Sequence, residues 1–142
     1  MSYNILIVDD SLPMRAVIKK SIKLSGFNAG QLLDASNGKE ALDILRNSWC
    51  DLVVTDYNMP GMNGMELLME IKNDETLGSI PVVMVTTEGS ALRIKEFMEA
   101  GAAGYIKKPF TPEQIKQQLN NILGEPENGE ENADNGDEEF DF

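Results

Sequence analysis

The sequence has little cysteine and no long hydrophobic run. Its single cysteine, Cys50, excludes an internal disulfide and is typical of a protein in a reducing cytoplasm. The apolar run near the N-terminus, residues 5–8, is far shorter than a signal-peptide core or a membrane span. We therefore expect a cytoplasmic protein that does not enter a membrane.

Positive charge is also scarce, with 12 basic residues against 24 acidic ones. Residues 125–142 hold nine of the acidic residues and none of the basic ones, which leaves a net charge of −3 on residues 1–124. A nearly neutral body lacks the broad basic face that a phosphate backbone requires, and the acidic segment repels such a backbone. The charge distribution argues against nucleic-acid binding.

The 142 residues suffice for one domain with a substantial hydrophobic core, and the composition of 42% hydrophobic and 25% charged residues is ordinary for a globular protein. Residues 125–142 differ, because Glu, Asn, Gly and Asp dominate them and their large apolar side chains are Phe140 and Phe142. We expect one domain over residues 1–124, a disordered acidic tail over residues 125–142, and a monomeric protein.

Short apolar runs alternate with segments of helical periodicity. Residues 5–8, 52–55, 82–85 and 104–107 have the continuous apolar character of strands buried on both faces, and residues 31–35 form a weaker run. Helix signals separate them, including Asn37 as an N-cap and a capping box at residues 111–114. The alternation predicts an α/β fold: a doubly wound, five-stranded parallel sheet with helices on both faces.

Acidic side chains follow two of the predicted strands. Asp9 and Asp10 come after the first strand, and Asp56 comes after the third. Because the carboxyl ends of parallel strands meet at one edge of the sheet, we expect the three carboxylates to lie together. Their repulsion requires protons or a cation, and Mg²⁺ suits oxygen ligands. Helix capping explains one of these aspartates but not all three.

A hydroxyl and an ammonium group reach the same edge. Thr86 ends the fourth strand and Lys108 follows the fifth. Either residue alone is a weak signal, because Thr is common in strands and a Lys before a loop is usually solvated. With the carboxylates, they indicate a phosphoryl-transfer site, where charge on the phosphoryl oxygens must be neutralised.

These residues resemble the motifs of the response-regulator receiver family over residues 3–124. The matching positions are Asp9-Asp10, the run DYNMPGMNG at 56–64, Thr86, Tyr105 and the run KPF at 108–110. The resemblance implies a flavodoxin-like sheet with strand order 2-1-3-4-5 and a cis Lys108–Pro109 bond. Within the family, the single-domain length and the run AGAAGY at 100–105 are similar to those of the chemotaxis regulators.

The resemblance also implies the chemistry. Asp56 would accept a phosphoryl group from a histidine kinase, while Lys108 and Thr86 bind that group. The chain would turn over no separate substrate and would catalyse only its own phosphorylation and dephosphorylation. The implied Mg²⁺ ligands are Asp10, Asp56 and the backbone carbonyl of Asn58, with Asp9 acting through water.

Signalling would follow from Thr86 and Tyr105, which the family pattern makes a switch pair. The readout surface would be the fourth helix, fifth strand and fifth helix. Its partner would be a protein such as a flagellar motor switch component, and a phosphatase would be a further partner. A single-domain phosphorelay or stress-response regulator with a different protein partner is the alternative within the family.

Two other function classes match the sequence less well. A haloacid dehalogenase-type phosphatase needs a second Asp two residues after its nucleophile, and that position holds Asn58. A flavodoxin-like cofactor binder needs a loop rich in Gly and hydroxyl residues after the first strand, where this chain has the run DDSLP.

The remaining expectations concern packing and the tail. Trp49 and Cys50 are predicted to pack in the interior, and six methionines are predicted to fill core or loop positions: Met59, Met62, Met65, Met69, Met84 and Met98. The acidic tail either aids solubility or, through Phe140 and Phe142, docks in a basic, apolar groove.

Overall fold

The computed structural model describes residues 2–124, in which five strands and five helices alternate. All the strand pairings are parallel and the strand order is β2-β1-β3-β4-β5, which confirms the predicted sheet and its topology. In chain order the elements are β1 (Tyr3–Val8), α1 (Leu12–Ser25), β2 (Ala29–Ala35), α2 (Gly38–Asn47), β3 (Leu52–Asp56), α3 (Gly64–Asn73), β4 (Val82–Thr86), α4 (Ala91–Glu99), β5 (Gly104–Lys107) and α5 (Pro112–Leu123).

Each face of the sheet has its own hydrophobic core. Successive side chains of a strand point to opposite faces, so Ile5 and Ile7 of β1 join one core while Leu6 and Val8 join the other. Helices α1 and α5 cover the first face, and α2, α3 and α4 cover the second. Strands β3 and β4 are buried along their whole length, which explains their uninterrupted apolar sequence.

Side-chain caps begin the helices near the carboxyl edge of the sheet. The predicted caps are present: Asn37 Oδ1 accepts a hydrogen bond from Glu40 N at 2.8 Å, and Thr111 forms a capping box with Gln114. Asn63 forms a further capping box at the start of α3. Each cap fixes the residue at which a helix begins. The loop before that helix therefore ends at a defined position, and these loops carry part of the site.

Strand β2 is longer than predicted, because its pairing with β1 already begins at Ala29, opposite Tyr3. The packing prediction is right for Cys50, which is buried, and wrong for Trp49, whose side chain is 57% exposed. Trp49 lies in the connection after α2, where its indole Nε1 donates to Asp51 Oδ1 at 3.2 Å. An exposed ring with a satisfied N–H needs no place in the core.

The methionines divide between interior and surface. Met59 and Met84 are buried, and Met62 and Met65 pack against the core as half-buried side chains. Met69 on α3 and Met98 on α4 are exposed helical residues, so the prediction of a core or loop position is wrong for both of them. Each lies on the outer side of its helix, which helical periodicity alone does not distinguish when apolar residues occupy both sides.

Within residues 2–124 no helix combines the length and the apolar character that crossing a membrane would take. The predicted acidic tail, residues 125–142, lies outside the described residues. The fold positions the candidate site with the strand ends and the loops that follow them at one edge of a five-stranded sheet.

Candidate functional site

Three carboxylates meet at the carboxyl ends of the central strands β1 and β3. Asp9, Asp10 and Asp56 each place a carboxylate oxygen within 4.8 Å of the others. Asp9 and Asp56 are 1% and 5% exposed, whereas Asp10 is open to solvent. The sequence prediction placed these aspartates at one edge of the sheet, and the structure brings all three together there.

One ammonium group lies against this cluster. Lys108 Nζ lies 3.1 Å from Asp56 Oδ1 and 3.9 Å from Asp9 Oδ2. Its backbone N donates to the carbonyl of Thr86 at 2.7 Å, and the Lys108–Pro109 bond is cis, as the family resemblance implied. A single positive charge opposes three negative ones, so the cluster keeps a negative excess that attracts a further cation.

The two oxygens of Asp9 have different surroundings. Oδ1 accepts a hydrogen bond from Ser11 N at 2.8 Å, while the buried Oδ2 has no hydrogen-bond partner within residues 2–124. Burial raises the pKa of the Asp9 carboxyl, and the neighbouring carboxylates raise it further, against the lowering effects of Ser11 N and Lys108. A buried carboxylate oxygen without a hydrogen-bond donor suits a hard divalent cation.

This arrangement predicts that Asp9 destabilises the metal-free fold at neutral pH. A carboxyl whose pKa rises on folding binds its proton more tightly in the folded state than in the unfolded state. Its unfavourable contribution to the stability of the fold is therefore absent well below pH 3.8, where both states are protonated, and complete above the raised folded pKa. We expect Asp9→Asn to raise the free energy of unfolding at pH 7 by about 1 kcal/mol, because the amide keeps the acceptor for Ser11 N and removes the buried charge.

Urea unfolding in chelator-treated buffer at pH 3 and pH 7 measures this effect. Asp43→Asn, a change on the exposed side of α2, is the matched control. The lowered pKa values of Asp34 and Asp74 favour the fold as pH rises, and they are common to all the variants. A gain for Asp9→Asn that is the same at both pH values, or no gain, would contradict the assignment.

The remaining predicted site residues lie on β4 and β5 or in the loop after β3. Thr86 is fully buried at the end of β4, and its Oγ1 accepts from Glu88 N at 2.9 Å. Asn58 is exposed in the loop that follows β3, two residues past Asp56. Tyr105 is half-buried on β5 and lines a cleft of about 280 Å³ with Ile94 of α4 and residues of α5. Thr86 and Tyr105, the predicted switch pair, therefore lie on adjacent strands.

Close packing of α3 against the site depends on Gly64. A Cβ atom at this position would lie 2.5 Å from the carbonyl oxygen of Asp56 and 2.7 Å from Met84 Sδ. Backbone atoms cannot move aside as a flexible side chain can, so any larger residue would displace the loop that carries the site. This explains a glycine at the end of the matched run 56–64.

Sequence reasoning missed a group of residues behind the cluster. Arg15 Nη1 donates to the carbonyl of Asp9 at 2.6 Å, and its Nε pairs with Asp34 Oδ2 at 2.8 Å. Lys19 Nζ joins the other oxygen of Asp34 at 3.1 Å. The sequence signal that could have indicated this group is the spacing of Arg15 and Lys19, which lie four residues apart on one face of α1 and share Asp34 of β2.

A second missed group lies beside the loop after β4. Arg93 reaches back from α4 to Glu88 at 3.2 Å, and its guanidinium lies 4.9 Å from the centre of the Tyr57 ring. The Tyr57 ring also contacts buried Phe97. These contacts tie α4 to the residue that follows Asp56.

Comparison with known proteins identifies the family. The family model described as "Response regulator receiver domain" matches residues 5–120. The chain belongs to the response regulator receiver family. This receiver carries the aspartates, the threonine and the lysine of its candidate site within the matched residues.

Curated relatives are named as chemotaxis proteins. The receiver is 46% identical over 119 residues to chemotaxis protein CheY-3 of Vibrio cholerae, which covers 84% of this chain and 90% of the relative. It is 40% identical over 121 residues to the chemotaxis protein CheY homolog of Campylobacter jejuni, covering 84% and 92%. The resemblance to chemotaxis regulators is thereby confirmed.

Solved structures agree with the fold. Vibrio cholerae chemotaxis protein CheY4 matches with a TM-score of 0.78 at 30% identity, covering 87% of this chain and all of that one. A response regulator receiver domain protein of Clostridium thermocellum matches with a TM-score of 0.74 at 30% identity, covering 85% and 94%. The predicted function is confirmed at this level: the receiver is a two-component response regulator of the chemotaxis type.

Proposed function

We propose that this receiver carries a chemotaxis signal as an aspartyl phosphate on Asp56. The observation that carries the proposal is the position of the Asp56 carboxylate at the end of β3, 3.1 Å from Lys108 Nζ and beside the carboxylates of Asp9 and Asp10. A carboxylate can act as a nucleophile toward phosphorus, and the adjacent ammonium neutralises charge on the transferred group. The phosphoryl donor is a histidine kinase.

Magnesium is the cofactor that the donor set favours. Mg²⁺ prefers oxygen ligands and is usually held by one or two carboxylates, with phosphate oxygens and waters completing its coordination. When bound, it would neutralise charge on the phosphoryl oxygens. The residues that would hold it are Asp10, Asp56 and the backbone carbonyl of Asn58, with Asp9 acting through water.

The chain's own residues then perform the transfer. An Asp56 carboxylate oxygen forms a bond to phosphorus as the bond between phosphorus and the donor atom breaks. Lys108 shifts from the free carboxylate to a phosphoryl oxygen, which keeps its charge paired throughout. Hydrolysis reverses the state when water attacks phosphorus and the bond to Asp56 breaks. Exposed Asn58 and Glu88 flank the site and leave a path for that water.

Thr86 and Tyr105 transmit the change to the surface. The Thr86 hydroxyl lies at the end of β4, where it can turn toward the new phosphoryl oxygen, and the Tyr105 ring lines the adjacent cleft between α4 and α5. Inward movement of the ring would reshape the face made by α4, β5 and α5. Phosphorylation biases this switch by the difference in contacts between its two states.

That face would bind a protein such as a flagellar motor switch component, and a phosphatase would act at the carboxyl edge of the sheet, where the phosphoryl group would lie.

The kinase requires a separate binding surface close to Asp56, because Asp56 is only 5% exposed and the phosphoryl donor must approach it closely. An apolar groove of about 320 Å³ opens beside Lys108 between Val17 and Phe110, and the kinase would bind there, next to the phosphoryl site.

The receiver domain, residues 1–124, would work as a cytoplasmic monomer without binding nucleic acid.

A phosphorylation assay tests the proposal. The full chain is incubated with acetyl phosphate and Mg²⁺, and its intact mass is followed over time. We expect the addition of one phosphoryl group that requires Mg²⁺, disappears when the donor is exhausted, and is removed by hydroxylamine as an acyl phosphate must be. A gain that persists in excess chelator would exclude the proposed chemistry.

A further inference from the structure

Positive charge in the described part of the chain is concentrated on one helix. α1 carries Arg15, Lys19, Lys20 and Lys23 and has no acidic residue. Arg15 and Lys19 are paired with Asp34, whereas Lys20 and Lys23 are exposed and form no ion pair within residues 2–124. The outer side of α1 is therefore strongly basic, although the net charge of residues 1–124 is −3.

A groove of about 660 Å³ runs between this helix and the edge strand β2. Lys20 and Lys23 line it on the side of α1, and half-buried Phe27 and Leu32 supply apolar surface. An exposed strand edge offers unpaired backbone groups as well. A groove of this kind suits an acidic peptide that carries a few large apolar side chains.

The described chain ends beside this groove. α5 ends at Leu123, whose carbonyl accepts a hydrogen bond from the Tyr3 hydroxyl at 3.3 Å. The Tyr3 ring stacks on Phe27 with 5.8 Å between the ring centres, and Phe27 is a wall of the groove. The end of α5 is therefore connected to the groove through Tyr3 and Phe27, and residues 125–142 follow shortly after this point in the chain.

Residues 125–142 have the complementary composition. They contain nine acidic residues, no basic residue, and Phe140 and Phe142 near their end. A random coil of this length has a root-mean-square span of about 23 Å, and repulsion between like charges extends such a coil, so the segment is long enough for its aromatic end to reach the groove. Tethering holds such a segment at an effective concentration in the millimolar range, which favours it over a second molecule at micromolar protein concentration.

We infer that residues 125–142 dock in the α1–β2 groove of their own molecule. The carboxylates face Lys20 and Lys23, and an aromatic ring from Phe140 or Phe142 lies against Phe27 and Leu32. The contact is weak enough to release and depends on salt, because exposed charges provide much of it. This intramolecular contact does not involve the residues of the phosphoryl site.

Paramagnetic labelling of the full chain tests the inference. A nitroxide is attached at Asn135→Cys, where the native Cys50 does not compete because it is buried and burial raises its thiol pKa. We expect the amide signals of Phe27, Gly30 and Leu32 to lose about half their intensity or more at low salt, while those of α3 keep theirs. The loss should reverse at about 1 M salt, where the screening length falls to about 3 Å.

Matched variants identify the contacts. Lys20→Glu with Lys23→Glu should abolish the signal loss, whereas Lys39→Glu with Lys95→Glu, the same charge change on exposed positions of α2 and α4, should leave it intact. Phe140→Ala with Phe142→Ala should also abolish the loss.

Three results would overturn the inference. The first is equal broadening over the whole surface, and the second is the same response in both lysine pairs. The third is signal loss in an isotope-enriched chain without a nitroxide when it is mixed with a nitroxide-labelled chain. That result would mean that residues 125–142 of a second molecule occupy the groove.

Discussion

Asp56→Asn is expected to abolish phosphoryl uptake from acetyl phosphate. The amide nitrogen has its lone pair delocalised into the carbonyl, so it cannot replace the carboxylate as a nucleophile toward phosphorus. The variant should remain folded, because the amide oxygen can still accept a hydrogen bond from Lys108 Nζ where the carboxylate lies 3.1 Å away. Intact mass after incubation with donor and Mg²⁺ should show no added phosphoryl group at any time.

The control for this variant is Asp43→Asn, an exposed change on α2 that removes the same charge. It should take up one phosphoryl group at the rate of the unmodified chain. Uptake by Asp56→Asn that equals the control would place the phosphoryl group on another side chain and would remove the basis for the proposed signal. Thermal unfolding of both variants separates loss of chemistry from loss of fold.

Lys108→Met is expected to cause the second large effect, a loss of about 3 kcal/mol in the free energy of unfolding without Mg²⁺. Lys108 Nζ lies 3.1 Å from Asp56 Oδ1 and 3.9 Å from Asp9 Oδ2, and its side chain is 18% exposed. Methionine preserves much of the apolar stem, so the loss reports the uncompensated carboxylates. Urea unfolding of the chelator-treated protein measures it.

Magnesium should recover a large part of this loss, because a divalent cation supplies the charge that Lys108 no longer provides. Lys107→Met is the matched control, since Lys107 is exposed, adjacent in sequence and free of ion pairs within residues 2–124. It should change stability by less than about 0.5 kcal/mol. Equal losses for both lysines, or a Lys108→Met loss that Mg²⁺ leaves unchanged, would show that the carboxylate cluster does not depend on this charge.

Local sequence was enough to predict the architecture. The central strands are short apolar runs buried on both sides, and parallel strands require helical crossovers, so the alternation along the chain already implied the doubly wound sheet. The caps at Asn37 and Thr111 were predictable because capping depends on residues three positions apart. The strand order came from the family resemblance, since apolar patterning alone does not order five parallel strands.

Residue contacts across the fold were not predictable in this way. Arg15 binds the carbonyl of Asp9, just after β1, and the carboxylate of Asp34 on β2. Trp49 looked like a core residue by its hydrophobicity, yet the connection after α2 turns it outward and places buried Cys50 next to it. Both outcomes depend on how elements pack together, which local patterns do not encode.

The sequence by itself determined that three aspartates, a threonine and a lysine would reach one edge of a parallel sheet, because each ends its strand or comes shortly after it, and strands of one direction end together. Only the tertiary structure decided the pairing within that edge: which carboxylates Lys108 contacts, which oxygen of Asp9 has no hydrogen-bond donor within residues 2–124, and where Gly64 must approach the backbone. Such details depend on distances of a few ångströms between separate loops, and packing of the whole domain sets those distances.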